Sequence, residues 1–200
     1  MRNCTYCSHT GGGVNDYYRR LGISNSFHIP CGLDYVLYKP RDIANEYISD
    51  ISFIGRKTEE RDKFRRILES TSLTVKFYGQ GYLPPVYNEE FSKVCSSSKF
   101  MLSLNTYNNI PDYFSNRLLR YMGCGSAVLH YDPTKTINKY FKQNVEILAF
   151  SDEQELAYLV KNIDNETAGK IALNARDKVL KNFTWEHTAL RILKVAGLIK

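Results

Sequence analysis

The sequence predicts an α/β fold: an open parallel sheet with helices packed on both faces and a helical C-terminus. Three observations carry this expectation. Short apolar runs recur through residues 50–150, glycine or polar residues punctuate the end of each run, and the stretches between them place apolar residues at helical spacing. Strands that alternate with helices this closely are joined by crossovers, and such sheets are parallel and buried on both faces.

Residues 1–25 open the chain irregularly. Thr10-Gly11-Gly12-Gly13 reads as a flexible loop, and Asp16-Tyr17-Tyr18-Arg19-Arg20-Leu21-Gly22 as a helical scrap ended by a glycine cap, as if this were the tail of a preceding unit. Ser26-Phe27-His28-Ile29 is a short strand. Pro30-Cys31-Gly32-Leu33-Asp34 and Tyr38-Lys39-Pro40 supply the punctuation of a linker, so a boundary is expected near residue 45, dividing residues 1–45 from a domain of residues 46–200.

The pattern then becomes regular. Ile51-Ser52-Phe53-Ile54 is a buried strand ending at Gly55-Arg56, and Thr58 caps a helix with acids in its first turn and Phe64, Ile67 and Leu68 on one face. Leu73–Tyr78 is the next strand, closed by Gly79-Gln80-Gly81. A helix around Tyr87–Cys95 leads to the strand Phe100–Leu104, and a later strand covers Ala127–Leu129. A short helix near Thr136–Phe141 and a weak strand at Val145–Ala149 follow. Ser151 with Gln154 forms a capping box before Leu156, Leu159, Val160 and Ile163, and two more helices carry Ile171, Ala172, Ala175 and Val179, then Trp185, Ala189, Ile192, Leu193 and Ala196.

Lys and Arg outnumber Asp and Glu by 27 to 21 in 200 residues, a net charge of +6, which favours an anionic ligand, an acidic membrane surface or nucleic acid. The charges are interspersed, the fifteen tyrosines are spread along the chain, and no groove-reading or RNA-platform motif is present, so specific nucleic-acid binding is not expected. No apolar run is long enough to cross a bilayer and no hydrophobic signal core is found, which makes a cytoplasmic protein the expectation, with peripheral attachment to anionic membranes left open. Five cysteines, at positions 4, 7, 31, 95 and 124, suit a reducing compartment better than a disulfide framework. Cys4-Thr5-Tyr6-Cys7 with His9 has the one metal-like spacing, but it lacks a second pair, so no metal is expected.

The stretch from Pro111 to His130 concentrates the chemistry. Ser115 is placed to cap a helix whose Leu118, Leu119 and Met122 face inward, while Asn116, Arg117 and Arg120 lie on its first two turns. A helix start carries unpaired N–H groups and partial positive charge, so arginines there make a seat for an anion, most simply a phosphate; a solvated basic face is the alternative. In an open parallel sheet the ligand lies beyond the carboxyl ends of the strands, where strand order reverses. Those ends are Gly55-Arg56, Gly79-Gln80-Gly81, with Gly79 read as a turn, and Asn105 with Tyr107, and the Tyr113–Arg120 segment follows directly. His9, His28, His130 and His187 are candidate bases by chemistry alone, His130 being the nearest to the expected cleft.

Ile29-Pro30-Cys31-Gly32-Leu33-Asp34 with Pro40 resembles the interdomain segment of GT-B glycosyltransferases, and Ile51–Gly55 followed by Arg61 is similar to the first strand of their C-terminal domain. Ser103-Leu104-Asn105, Asn116-Arg117-Leu118-Leu119, Gly123-Cys124-Gly125 and Phe183-Thr184-Trp185-Glu186 resemble motifs of the CgeB-like, group 1 branch, across about residues 26–195. The resemblance implies a Rossmann-like domain that binds the diphosphate of a nucleotide-sugar donor without a required metal or other cofactor. Gly55 and Arg56 would border the phosphates, and Asn105, Tyr113, Asn116 and Arg117 would line the donor site. Two departures are visible. Family members usually carry a glutamate for the nucleotide ribose three residues after the motif arginine, where this chain has Arg120; either Arg120 meets a phosphate or the protein has lost donor binding. The acceptor-binding N-terminal half is also not represented, so the expected partner is a separate N-terminal half or a second copy, unless the chain is part of a longer protein or a non-catalytic nucleotide- or partner-binding module.

Overall fold

The computed structural model describes residues 5–200, so Cys4 and its pairing with Cys7 lie outside the described residues. Among those residues no group of three His, Cys, Asp or Glu is placed to hold a metal ion. No helix there is long and apolar enough to cross a membrane.

Five strands form one parallel sheet: β3 (Ser49–Ile54), β4 (Val75–Tyr78), β5 (Ser98–Ser103), β6 (Ala127–Tyr131) and β7 (Leu148–Phe150), in the order β4-β3-β5-β6-β7. The chain moves outward from β3 to β4 and then returns to lay β5 on the other side of β3, so the order reverses between β3 and β5. Alternation along each strand sends side chains to two cores. On one side, α3 (Asn88–Ser96) and α4 (Asn116–Gly123) bury Val94, Leu118, Leu119 and Met122 with Met101 and Val128; on the other, α2 (Glu59–Glu69) and α5 (Glu153–Asn162) bury Phe64, Leu68, Leu156 and Leu159 with Phe53, Leu102 and Leu129. The long α6 (Asn165–Asn182) joins both, with Ala175 and Val179 in the first core and Ala168 and Ile171 in the second.

Ahead of the sheet lies a small β-α-β unit: β1 (Cys7–His9), α1 (Gly12–Arg20) and β2 (Ser26–His28), with β1 parallel to β2. The expected glycine loop is absent here, because Gly12 and Gly13 begin α1. Their N–H groups, free of helical partners at this end, donate to the carbonyls of Asp112 (3.0 Å) and Pro111 (2.9 Å). The approach is close enough that a Cβ on Gly12 would stand 2.6 Å from that of Asp112. The segment after β2 packs down as well: Leu33 and Tyr38 are buried in the first core, and Leu33 exchanges backbone hydrogen bonds with Phe183 and Trp185.

Other boundaries shift for local reasons. The helix expected at Thr136–Phe141 is a single 3-10 turn, Ile137–Lys139, whose first amide is taken by Asp132 Oδ2. The weak strand starts later, at Leu148, because Gln143–Ile147 closes a turn first. The cap of α5 is Asp152, not Ser151: its carboxylate accepts from the Glu155 amide, and Glu155, not Gln154, reaches back to the Ser151 amide. An anionic cap suits the positive helix end. The last helix, α7 (Trp185–Val195), turns Thr188 and Arg191 inward, where Thr188 binds the Pro30 carbonyl and Arg191 lies over Phe183. Its expected apolar stripe faces outward, leaving Trp185 51% and Ile192 48% exposed.

Gly79 locks the sheet edge. Its φ is +127°, and a Cβ there would lie 2.4 Å from the Gly55 carbonyl oxygen. Gly79→Ala is expected to lower the unfolding free energy by more than about 1 kcal/mol. Gly169→Ala, exposed in α6 with nothing within 4 Å of the added Cβ beyond its own helix, is expected to raise it by roughly 0.5–1 kcal/mol. Urea unfolding of the two variants beside the parent protein checks both signs.

Candidate functional site

The reversal of strand order leaves a crevice beyond the carboxyl ends of β3 and β5, bordered by Gly55-Arg56 and by Leu104-Asn105. Two guanidinium groups converge there from opposite faces of the sheet. Arg61, from the first turn of α2, donates through Nη1 to the Arg56 carbonyl (3.1 Å) and through Nη2 to the Leu104 carbonyl (3.2 Å) and Thr106 Oγ1 (3.4 Å). Arg117, from the first turn of α4, donates to the same Leu104 carbonyl at 2.9 Å. Both lie against the Phe53 ring, 5.3 and 5.1 Å from its centroid.

No carboxylate balances these charges. None of the ion pairs among the described residues includes Arg56, Arg61 or Arg117. Arg61 is 1% exposed. Burial, with Arg117 and Arg56 nearby, pulls its pKa down to about 10, well below that of a free guanidinium and still high enough to keep it charged at neutral pH. A buried cation without a counter-charge is costly, and an anion in the crevice would relieve that cost.

The start of α4 completes the site. Ser115 occupies the N-cap position, but its side chain makes no capping bond. Asn105 does related work from across the crevice: its Oδ1 accepts from the Ser115 amide (3.0 Å) and its Nδ2 donates to the Tyr113 carbonyl (3.3 Å), which fixes the loop to the helix start. Ser115 Oγ and Asn116 Oδ1 are buried without hydrogen-bond partners. The amides of Asn116 and Arg117 belong to the first turn, where no intrahelical acceptor exists. The helix start thus brings unpaired amides and partial positive charge beside the two arginines.

Gly55, Arg56, Asn105, Tyr113, Ser115, Asn116 and Arg117 all fall on the loops and helix start around this crevice. A Cβ on Gly55 would stand 3.1 Å from Arg117 Nη2, so the bare glycine lets the guanidinium lie on the backbone. Tyr113 is half-buried, and burial raises its pKa while Arg117 and Arg61 oppose the rise. Asn105 has both ends of its amide engaged in the loop, which makes it a positioning residue here. Arg120 points away toward the linker, stacked 4.5 Å from the Tyr38 ring centroid. Arg61, singled out above only as part of the family resemblance, is not among the expected site residues. The signal that finds it is its spacing: residues 61, 64 and 68 form the buried stripe of α2.

These features define a class: a doubly wound parallel α/β domain with a cationic switch point whose arginines have no ion-pair partner among the described residues. The chain belongs to the glycosyl transferase-like family, whose model matches residues 56–194. A search of the curated proteins gives no match. Among solved structures, the chain is similar to sucrose-phosphate synthase from Thermosynechococcus elongatus, at 18% identity and a TM-score of 0.69 over 96% of this chain and 58% of that one. It is similar to Anabaena HepE in complex with UDP-glucose, at 13% identity and 0.77 over 98% and 64%, and to a glycosyltransferase from Rickettsia africae, at 12% and 0.72 over 96% and 62%. The fold is thus that of GT-B glycosyltransferase domains. The chain spans about three-fifths of the length of these relatives.

All four histidines have structural neighbours. His9 stacks on Tyr18, His28 bridges the Thr10 carbonyl and the Tyr140 hydroxyl, and His187 accepts from Thr184 in the α7 capping box. His130, the expected cleft residue, is 1% exposed inside the sheet, with Nδ1 3.0 Å from Ser103 Oγ. Burial lowers its pKa to about 4, against a weaker opposing pull from Asp132. Between pH 6.5 and 4 the unfolded chain therefore binds a proton that the native protein refuses, so stability falls as pH drops through this window. Acidification from pH 7 to pH 5 is expected to cost roughly 2 kcal/mol through this group. Urea titrations at the two pH values, on the parent and His130→Asn, check this: the variant should lose less.

Proposed function

We propose that the protein is the donor-binding domain of a CgeB-like glycosyltransferase that transfers a sugar from a nucleoside-diphosphate donor. The observation that carries this reading is the arginine cluster without an ion-pair partner beside the start of α4. Its charge and its geometry suit a diphosphate: Arg56 and Arg117 supply planar donors, and the Asn116 and Arg117 amides supply directed ones. The Arg117 guanidinium, bound to the Leu104 carbonyl, and the two amides are held before any substrate arrives. When the glycosidic bond to the β-phosphate breaks, negative charge grows on the leaving diphosphate, and prearranged donors stabilise that charge at no reorganisation cost. In this reading the guanidinium groups do what a divalent metal does elsewhere, so no metal is required. HepE, a structural neighbour, is described with UDP and with UDP-glucose, which supports the ligand class.

In the same reading residues 46–200 form the donor unit and residues 1–45 its connection to an acceptor-binding half. That half, in the same protein or as a separate partner, would supply the acceptor site and the base. The position of Arg120, stacked on Tyr38 where the family resemblance implies a ribose-binding glutamate, favours a second reading: a module that binds a nucleotide without transferring a sugar.

A panel of nucleoside diphosphates and their sugars tests the binding claim. One of them, at about a hundred times its Kd, should raise the melting temperature by roughly 5–10 °C. Arg117→Ala should weaken that binding about ten- to a hundredfold. Arg56→Ala removes an exposed side chain with no ion-pair partner, so a similar loss there excludes simple misfolding. Calorimetric titration measures all three constants. Binding without hydrolysis or transfer, even when an acceptor half is added, would select the second reading.

A further inference from the structure

The two strands that border the crevice are paired for only part of their length. The β3–β4 register runs on to Ile54 opposite Tyr78, and the β5–β6 register to Ser103 opposite His130. Between β3 and β5 the last pair is Ser52 opposite Met101. The two central strands therefore part at their carboxyl ends, while each stays joined to its outer neighbour. Parting leaves backbone groups of β3 that no strand answers, and a buried backbone group needs a partner. In a parallel sheet successive residues bond to alternate neighbours. Gly55 turns its N–H outward, to the Tyr78 carbonyl of β4 at 2.8 Å. Ile54, one residue earlier, turns its N–H and its C=O inward, to the side from which β5 has withdrawn.

One side chain takes both groups. The Tyr121 hydroxyl accepts from the Ile54 N–H at 2.9 Å and donates to the Ile54 carbonyl at 3.3 Å. The Tyr121 ring is buried and stacked on Phe91 of α3, with centroids 5.5 Å apart, so packing holds the hydroxyl where it is. Burial also pushes its pKa up, which keeps it a neutral hydroxyl able to donate and accept. Arg117 lies one turn earlier on the same face of α4. Its guanidinium donates to the Leu104 carbonyl, just past the end of β5, at 2.9 Å, and its Nη2 would stand 3.1 Å from a Cβ on Gly55. A single face of α4 thus holds the end of β3 through Tyr121 and the end of β5 through Arg117.

We infer that Tyr121 is a positioning residue for the donor site: its hydroxyl stands in for the strand neighbour that Ile54 lacks, holds β3 and β5 apart, and so keeps Gly55 and the Arg117 guanidinium at the spacing a diphosphate needs. The inference rests on the donor-site reading for what occupies the crevice. A phenyl ring without the hydroxyl fills nearly the same space but leaves the two Ile54 groups buried without partners. They regain partners only if β3 moves toward β5 or water enters the split. Either change displaces Gly55, the next residue, and Arg117, one helical turn away. Packing alone does not account for the contact, because the hydroxyl serves the donor and the acceptor of one residue at the point where the sheet opens.

The test compares the full chain with Tyr121→Phe, which keeps the ring and its stack, and with Ile171→Val, which loses a methylene in the core on the other face of the sheet. Urea unfolding, the dissociation constants for UDP and inorganic pyrophosphate, and amide exchange by NMR are measured on all three. In the parent the Ile54 amide should exchange as slowly as the strand-paired amides of β3. In Tyr121→Phe it should exchange about tenfold faster relative to them, and both ligands should bind about three- to tenfold more weakly. Ile171→Val should lose comparable stability yet keep both constants. Equal binding by the parent and Tyr121→Phe, or an equal weakening in Ile171→Val, overturns the inference. So does an Ile54 amide that exchanges freely in the parent, a result that needs no variant to fold. A parent that binds neither UDP nor pyrophosphate overturns the donor-site reading instead, and this role of Tyr121 with it.

Discussion

Two arginines share one carbonyl. Arg61 reaches the Leu104 oxygen from α2 and Arg117 reaches it from α4, helices whose apolar sides lie on opposite faces of the sheet. A guanidinium from each face thus meets its counterpart over the end of β5, with Phe53 of β3 against both. The arrangement joins the two strands that flank the change of order and the two helices that follow them. It also brings like charges together where water is scarce, and two cations at such separation repel strongly in a low dielectric. A domain selected for stability alone would pair them with carboxylates or replace them. Their lack of a carboxylate partner is what supports the proposed anion site.

The loop between β5 and α4 must hold its shape for those donors to stay aimed, and it is restrained on both sides. From within, Asn105 ties Tyr113 and Ser115 together. From outside, Gly12 and Gly13 bind the carbonyls of Asp112 and Pro111, and Asp112, held at φ +56°, pairs with Lys139 at 2.8 Å. His28 adds a contact through Tyr140. The small N-terminal unit is therefore part of what positions the candidate site. Its glycines are needed because backbone must approach backbone there.

Much of this was legible in the sequence because it is local. Apolar runs, glycine punctuation and capping residues define the five strands and their helices, and the cluster of Asn116 and Arg117 at a helix start points to an anion seat before any contact is known. What escaped depends on tertiary geometry. Thr10–Gly13 looks like a flexible loop until the Pro111–Asp112 carbonyls are placed beside it. Arg61 carries no site role in the sequence until Leu104 and Phe53 are placed against it. Arg120, three residues after Arg117 on α4, looks like a second phosphate ligand, but its guanidinium stacks on Tyr38. His130 looks catalytic by position, and only the register that sets it opposite Ser103 shows it inside the sheet. The outward stripe of α7 likewise follows from Thr188 finding the Pro30 carbonyl.

The central claim is that the arginine cluster and the start of α4 together receive a diphosphate. A crystal structure of the protein grown with UDP tests it most directly. The account predicts phosphate density within hydrogen-bonding reach of the Arg56 and Arg117 guanidiniums and the Asn116 and Arg117 amides, with Arg61 still anchored to Leu104 behind them. Diphosphate bound anywhere else, or Arg117 turned away to a carboxylate with the crevice closed, would contradict it.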